Sequence, residues 1–184
     1  LSGGTVALGD AATAFAASST ALGKDSNIQS SGSYGVAVGN IARVSSGTSN
    51  IGIGLNCSAR GTDNIMIGHD AGAGSGYDTL ANRIGIGRQP TVGTDSIMIG
   101  NQTVSPNTGA GYIALGHAAE SNAAGAVAIG NSVTASTADT VTIKRLQMLD
   151  YASLNYADDT AAAAGGVPLG GVYHTSGALK IRIA

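Results

Sequence analysis

Nine short apolar strands, each stopped by a glycine, recur along the chain at intervals of 13 to 19 residues. Representative copies are Val6-Ala7-Leu8-Gly9, Val36-Ala37-Val38-Gly39, Ile65-Met66-Ile67-Gly68 and Val127-Ala128-Ile129-Gly130. A tenth strand, Val141-Thr142-Ile143-Lys144, keeps the alternation and loses the glycine. Repetition at a near-constant period means stacked units, none of which buries its apolar face alone. The beat predicts a solenoid, a protein whose function lies in shape and surface before chemistry.

Alignment on the terminal glycine brings out a second strand in every unit. Three and five residues after each glycine stand pairs such as Ala12/Ala14, Ala42/Val44, Cys57/Ala59 and Val133/Ala135, and fourteen of these eighteen positions are apolar. Spacing of two places both members of a pair on one strand face. One unit therefore reads as strand, glycine turn, short strand and polar return turn, the last carrying Arg60-Gly61-Thr62-Asp63 or Gly93-Thr94-Asp95. Fifteen residues suit two strands of about five residues with two tight turns, hence a flattened two-sided roll.

Composition narrows the interior and the surface. There are 29 glycines, one phenylalanine and no tryptophan, so the core must be thin and made of Val, Ile, Leu and Ala. Charged residues are 11% of the chain, against about 25% in ordinary soluble domains. So neutral a surface is expected to be covered in part by other subunits. A net charge of −2 with no basic run gives no support to nucleic-acid binding. No apolar stretch reaches the ~18 residues of a membrane span, so no membrane insertion is expected. The first residue is Leu1, which suggests a processed product or an excerpt of something longer. The single cysteine, Cys57, reads as a small buried hydrophobe rather than a reactive thiol.

The middle residues of the strong strands are Ala7, Ala21, Ala37, Gly52, Met66, Gly85, Met98, Ala114 and Ala128. None is charged or hydrogen-bonding, whereas a half-exposed strand alternates apolar with polar. Both faces of this sheet therefore want burial, and one roll covers only one of them. The expected outcome is an obligate homo-oligomer, with Ala7, Ala37, Gly85, Ala114 and Ala128 at the subunit interface. Three-fold closure is the simplest arrangement that leaves no open face. The alternative is a monomeric roll covered by its loops, which are short and polar.

These residues resemble the head repeats of trimeric autotransporter adhesins, which run Ser-Val-Ala-Ile-Gly with a following Ala-x-Ala-x-Gly. Ala126-Val127-Ala128-Ile129-Gly130-Asn131 and Gly35-Val36-Ala37-Val38-Gly39-Asn40 match best, and the likeness covers about residues 1–145. The resemblance implies an all-β, left-handed parallel β-roll of about nine coils in an obligate homotrimer. Met and Gly middle residues and the variable spacing depart from the bacterial pattern, and no heptad stalk or membrane barrel follows. The segment from Asp158-Asp159-Thr160 through Ile181-Arg182-Ile183-Ala184 instead looks like the closing segment of bacteriophage fibre and other virion structural proteins.

The chain thus divides into a β-roll head, 1–145, and a C-terminal cap and trimer lock, 146–184. In the cap, Asp158 is placed to start a short helix through the alanine run, stopped by Gly165-Gly166. Val172–His174 and Ala178–Ile183 read as a hairpin around Thr175-Ser176-Gly177, with Leu179, Ile181 and Ile183 on one apolar face. The competing reading of this module is a receptor-binding tip, and the two are compatible.

Chemistry is sparse. His69 and His117 follow repeat glycines at one turn position, where an exposed residue is the default and a three-histidine ring the alternative. No carboxylate pair stands at a glycosidase spacing, and no glycine-rich stretch opens a phosphate-binding unit. No cofactor, no metal and no catalytic residue is expected. The longest coil, between Gly68 and Gly87, carries Tyr77 and Asp78 in its extra loop, about residues 74–82. With Tyr34 and Tyr112 these are the candidate receptor contacts; packing of Tyr77 on a neighbouring subunit is the equal alternative.

The function expected is that of a noncatalytic, trimeric fibre or spike segment on a bacteriophage virion surface, a rigid spacer that attaches to a host-surface glycan or protein. Its partners would be two further copies and other virion proteins. The alternatives are the head of a bacterial surface adhesin that binds host matrix and, third, a polysaccharide-degrading tailspike.

Overall fold

The computed structural model describes residues 3–72, 80–106, 110–147 and 151–183. The chain forms two compact units, Leu1–Lys144 and Arg145–Ala184. The first is a parallel β-solenoid of about nine turns. Among the described residues its larger sheet has ten strands in unbroken chain order, from Val6–Leu8, Thr20–Leu22 and Val36–Val38 to Val127–Ile129 and Val141–Ile143. Every neighbour is parallel and in register, so Ala21 lies beside Ala37 and Ala37 beside Gly52. At the strand spacing of about 4.8 Å, ten rungs extend about 43 Å.

The second layer is made of two-residue strands. Thr13–Ala14, Asn27–Ile28, Arg43–Val44 and Ser58–Ala59 form one parallel sheet, and Glu120–Ser121 pairs with Thr134–Ala135 further along. Bridges Thr91 to Val104 and Val104 to Glu120 carry the layer between them. These strands are shorter than the expected five residues because the turns take up more of each coil.

The repeat glycines are a steric necessity. Gly39 has φ +131°, and a Cβ there would sit 2.4 Å from the carbonyl oxygen of Gly54 in the next coil. The corner needs a second special residue two positions on, where Ala11, Asp25, Ile41, Asn56 and Asp70 all adopt φ between 54° and 57° or, for Asn56, 51°. Side chains disfavour this left-handed region, β-branched ones most, so stacking imposes it on Ile41.

The core lies between the two layers and is one residue deep on each side. Ala21, Ala37, Met66, Met98, Ala114 and Ala128 come from the long sheet, and they meet Ile28, Val44, Ala59, Val92 and Ala135 from the short strands. Gly52, Met66, Gly85 and Met98 alternate small and large on adjacent rungs. A Cβ at Gly85 would meet Met66 Sδ at 2.8 Å and Val92 at 2.9 Å, so that glycine makes room for the methionine.

The second unit has a small core of its own, Ala162, Val167 and Tyr173, with Leu154 and Tyr156 against it. The helix Asp159–Ala164 is capped by Asp158, whose carboxylate accepts from the Ala161 N–H at 2.8 Å, and it stops at Gly165 and Gly166. Val172–Thr175 and Ala178–Ile181 pair antiparallel across Ser176 and Gly177. Both turn residues have positive φ, 50° and 88°, which matches the twist of a two-residue hairpin.

Candidate functional site

The outer face of the ten-stranded sheet is the most unusual surface. In each strand the middle residue points inward, so its two flanking residues point out. Ten strands supply twenty such positions, and nineteen are Val, Ile or Leu, with Thr20 the exception. Ile51, Ile65, Ile84 and Ile97 follow one another in one column and Ile53, Ile67, Ile86 and Ile99 in the other. These side chains are half-buried by their own rungs or exposed, as Leu8 (64%) and Ile99 (41%) are. A continuous apolar patch of this kind marks an interaction surface.

This arrangement corrects the expected interface. Ala37, Gly85, Ala114 and Ala128 are buried inside the chain's own roll, between its two layers. Ala7 points the same way and is exposed only because it lies on the first coil. The reason is room: the layers approach so closely that only Ala, Gly or an unbranched Met fits between them, and the bulkier branched side chains are turned outward.

The expected receptor residues separate. Tyr34 is exposed (65%) with φ 56°, on a return turn. Tyr112 is not a surface residue: it is 3% exposed, and its ring packs where a Cβ on Gly93 would stand, 3.3 Å away. It occupies the position immediately before the strand, which faces inward, whereas Tyr34 lies one position earlier in its coil. Tyr77 and Asp78 lie outside the described residues.

In the middle coils that inward position holds a buried polar ladder. Asn50 Nδ2 donates to the Ser46 carbonyl at 2.8 Å, and Asn64 Nδ2 donates to Asn50 Oδ1 at 3.0 Å. Arg83, 1% exposed, donates through Nε to Asn64 Oδ1 at 3.0 Å and through its terminal nitrogens to the carbonyls of Val92 and Arg60. These bonds satisfy return-turn carbonyls that would otherwise be buried unpaired. The signal was present in the sequence as Asn50-Ile51, Asn64-Ile65, Arg83-Ile84 and Ser96-Ile97, a polar residue abutting each of four apolar strands.

At the glycine corner, Asn56 Nδ2 donates to Asp70 Oδ1 at 2.8 Å and Gln89 Nε2 to Asp70 Oδ2 at 3.3 Å. His69 Nε2 stands 3.5 Å from the same carboxylate. The Asn56 hydrogen bond, with His69 and Gln89 assisting, holds Asp70 below the usual carboxylate range. Cys57 is buried, its thiol directed at the Met66 carbonyl 3.1 Å away, and desolvation pushes its pKa up to about 12. Such a thiol is a packing group. Among the described residues, no three His, Cys, Asp or Glu side chains converge to hold a metal ion, and no helix is long and apolar enough to cross a membrane.

The outer face of the short-strand layer is polar. Thr13, Asn27, Arg43 and Ser58 stand in register in one column, and two residues on stand Phe15, Gln29, Ser45 and Arg60. The two outer faces of the roll thus have opposite character. Neither a protein-family model nor a curated protein matches the chain.

Proposed function

We propose that this chain is a noncatalytic segment of a homotrimeric fibre or spike on a bacteriophage virion, a rigid spacer with a role in attachment to the host surface. The observation that carries the reading is the double column of Val, Ile and Leu on the outside of the ten-stranded sheet. A monomer in water would expose that strip along the length of the roll, and covering its still-exposed apolar area is worth about 25 cal/mol per Å². Copies of the same chain supply a matching strip, and a three-fold axis closes the set with every strip covered. The roll is left-handed in this reading, and Leu179, Ile181 and Ile183, all exposed on the terminal hairpin, form a second self-association face that locks the trimer.

The test has two parts. Native mass measurement of the chain should give three copies, and a folded monomer at micromolar concentration overturns the assembly. Excess isolated chain should lower attachment of particles that carry it to their host cells, and undiminished attachment overturns the attachment role.

A further inference from the structure

The polar face of the short-strand layer faces away from the apolar sheet and stays open when that sheet is covered. From the first four coils it presents Asn27 and Arg43 in one column and Phe15, Gln29 and Arg60 in the other. Shallow grooves meet there, one bounded by Thr13, Asp25, Asn27 and Arg43, the next by Phe15, Gln29 and Ser31, the third by Ser45 and Arg60; Gln29 borders all three. Arg43 is exposed, and among the described residues no carboxylate stands within ion-pair distance of it or of Arg60. Asp25 lies at the groove edge without pairing to either. Arg60 is oriented, its Nε donating to Ser58 Oγ at 3.1 Å, and Asn27 is held by Thr13 Oγ1 at 2.5 Å.

We infer that this strip binds an acidic polysaccharide, a glycan carrying carboxylates on its sugars. Arg43 and Arg60 sit on adjacent rungs and two residues apart along the strand, a diagonal of about 8 Å between backbone positions, a step of between one and two sugars of an extended chain. Their planar forks match carboxylates. The amides of Asn27 and Gln29 offer donors and acceptors to ring hydroxyls, and Phe15, 61% exposed, gives a flat apolar surface to the C–H face of a sugar. A protein partner would want a larger apolar anchor than one phenylalanine. Nucleic acid would want a broader positive field than two arginines beside Asp25 in a chain of net charge −2. The inference names the ligand class for the attachment role proposed above and rests on it.

The experiment is calorimetric titration of the full chain with an oligogalacturonate, which bears a carboxylate on every sugar, and with a neutral maltooligosaccharide of equal length. The acidic oligomer should bind, more weakly as salt is raised, and the neutral one at least about tenfold less tightly. Arg43→Gln should cost the acidic oligomer about tenfold in affinity with an unchanged circular dichroism spectrum, and Arg60→Gln a similar factor. Equal binding of the two oligomers, binding of neither, or full affinity in the Arg43→Gln variant overturns the inference. A native mass on the same sample separates the two readings: trimers that ignore the glycan sink only the groove, and a monomer that binds it sinks only the fibre assembly.

Discussion

At the level of single residues, the corner glycines and the buried polar groups decide whether coils stack. Gly39→Ala places a methyl 2.4 Å from the Gly54 carbonyl oxygen at a φ that side chains avoid, so it should cost at least about 1–3 kcal/mol. A denaturant midpoint close to that of the parent chain would contradict this. Ile41 presents the reverse case, a β-branched residue at φ 57° where the neighbouring coils use Asp25 and Asn56. Ile41→Asn should stabilise the roll by about 1 kcal/mol, read as a higher midpoint. Cys57, buried with its pKa near 12, should resist thiol reagents at neutral pH until the chain is unfolded; prompt labelling of the folded chain would mean that the coil opens.

At the level of elements, each long-sheet strand is a three-residue alternation whose two faces carry different duties. Ala128→Asp puts a carboxylate between the layers with no partner, so it should abolish folding of the roll rather than only assembly. Ile99→Asp, on the outer column, should leave a folded roll that no longer associates. Circular dichroism with native mass on both variants separates these outcomes, and a folded trimer from either contradicts the face assignment. In the second unit the Tyr173 hydroxyl donates to Asp159, and this bond, with burial and the nearby Asp159 and Asp158 charges, raises the phenol to about 12. A raised phenol stabilises the fold fully below its ordinary value near 10, and the contribution is lost as pH rises through about 12. An absorbance titration should therefore show a phenol ionising above the ordinary value near 10 that disappears in a Tyr173→Phe variant.

The whole repeat unit behaves as a one-dimensional stack in which each rung depends on its neighbours. The ladder of Asn50, Asn64 and Arg83 crosses three successive rungs of the long sheet, and the glycine corner repeats on every coil. Such a stack resists bending, which suits a spacer. Its two outer faces differ in kind, apolar along ten strands and polar over the short ones. The proposed trimer should be insensitive to salt, because the strip assigned to its interface carries no charge, whereas the proposed glycan binding should weaken with salt. A trimer that dissociates as salt rises would move the interface to a charged surface.

Periodicity alone determined the parallel stack, the two-layer coil and the second strand, because a spacing of two and a recurring glycine leave few other folds. Among the described residues, the pairs three and five residues after the repeat glycines face inward as the spacing required, from Ile28 and Val44 to Ala135. The Asp158 cap and the hairpin through Ser176 and Gly177 were legible for a similar reason, since helix starts and two-residue turns depend on local chemistry. Which side of the long strands faces the core was decided only by tertiary structure. Apolar residues occupy both sides, so hydropathy has no preference there. The gap between the layers admits Ala, Gly and Met but not a column of isoleucines, and that distance is set by packing of the whole stack. The same packing took Tyr112 inside and left Tyr34 out, though the two are neighbours in the repeat.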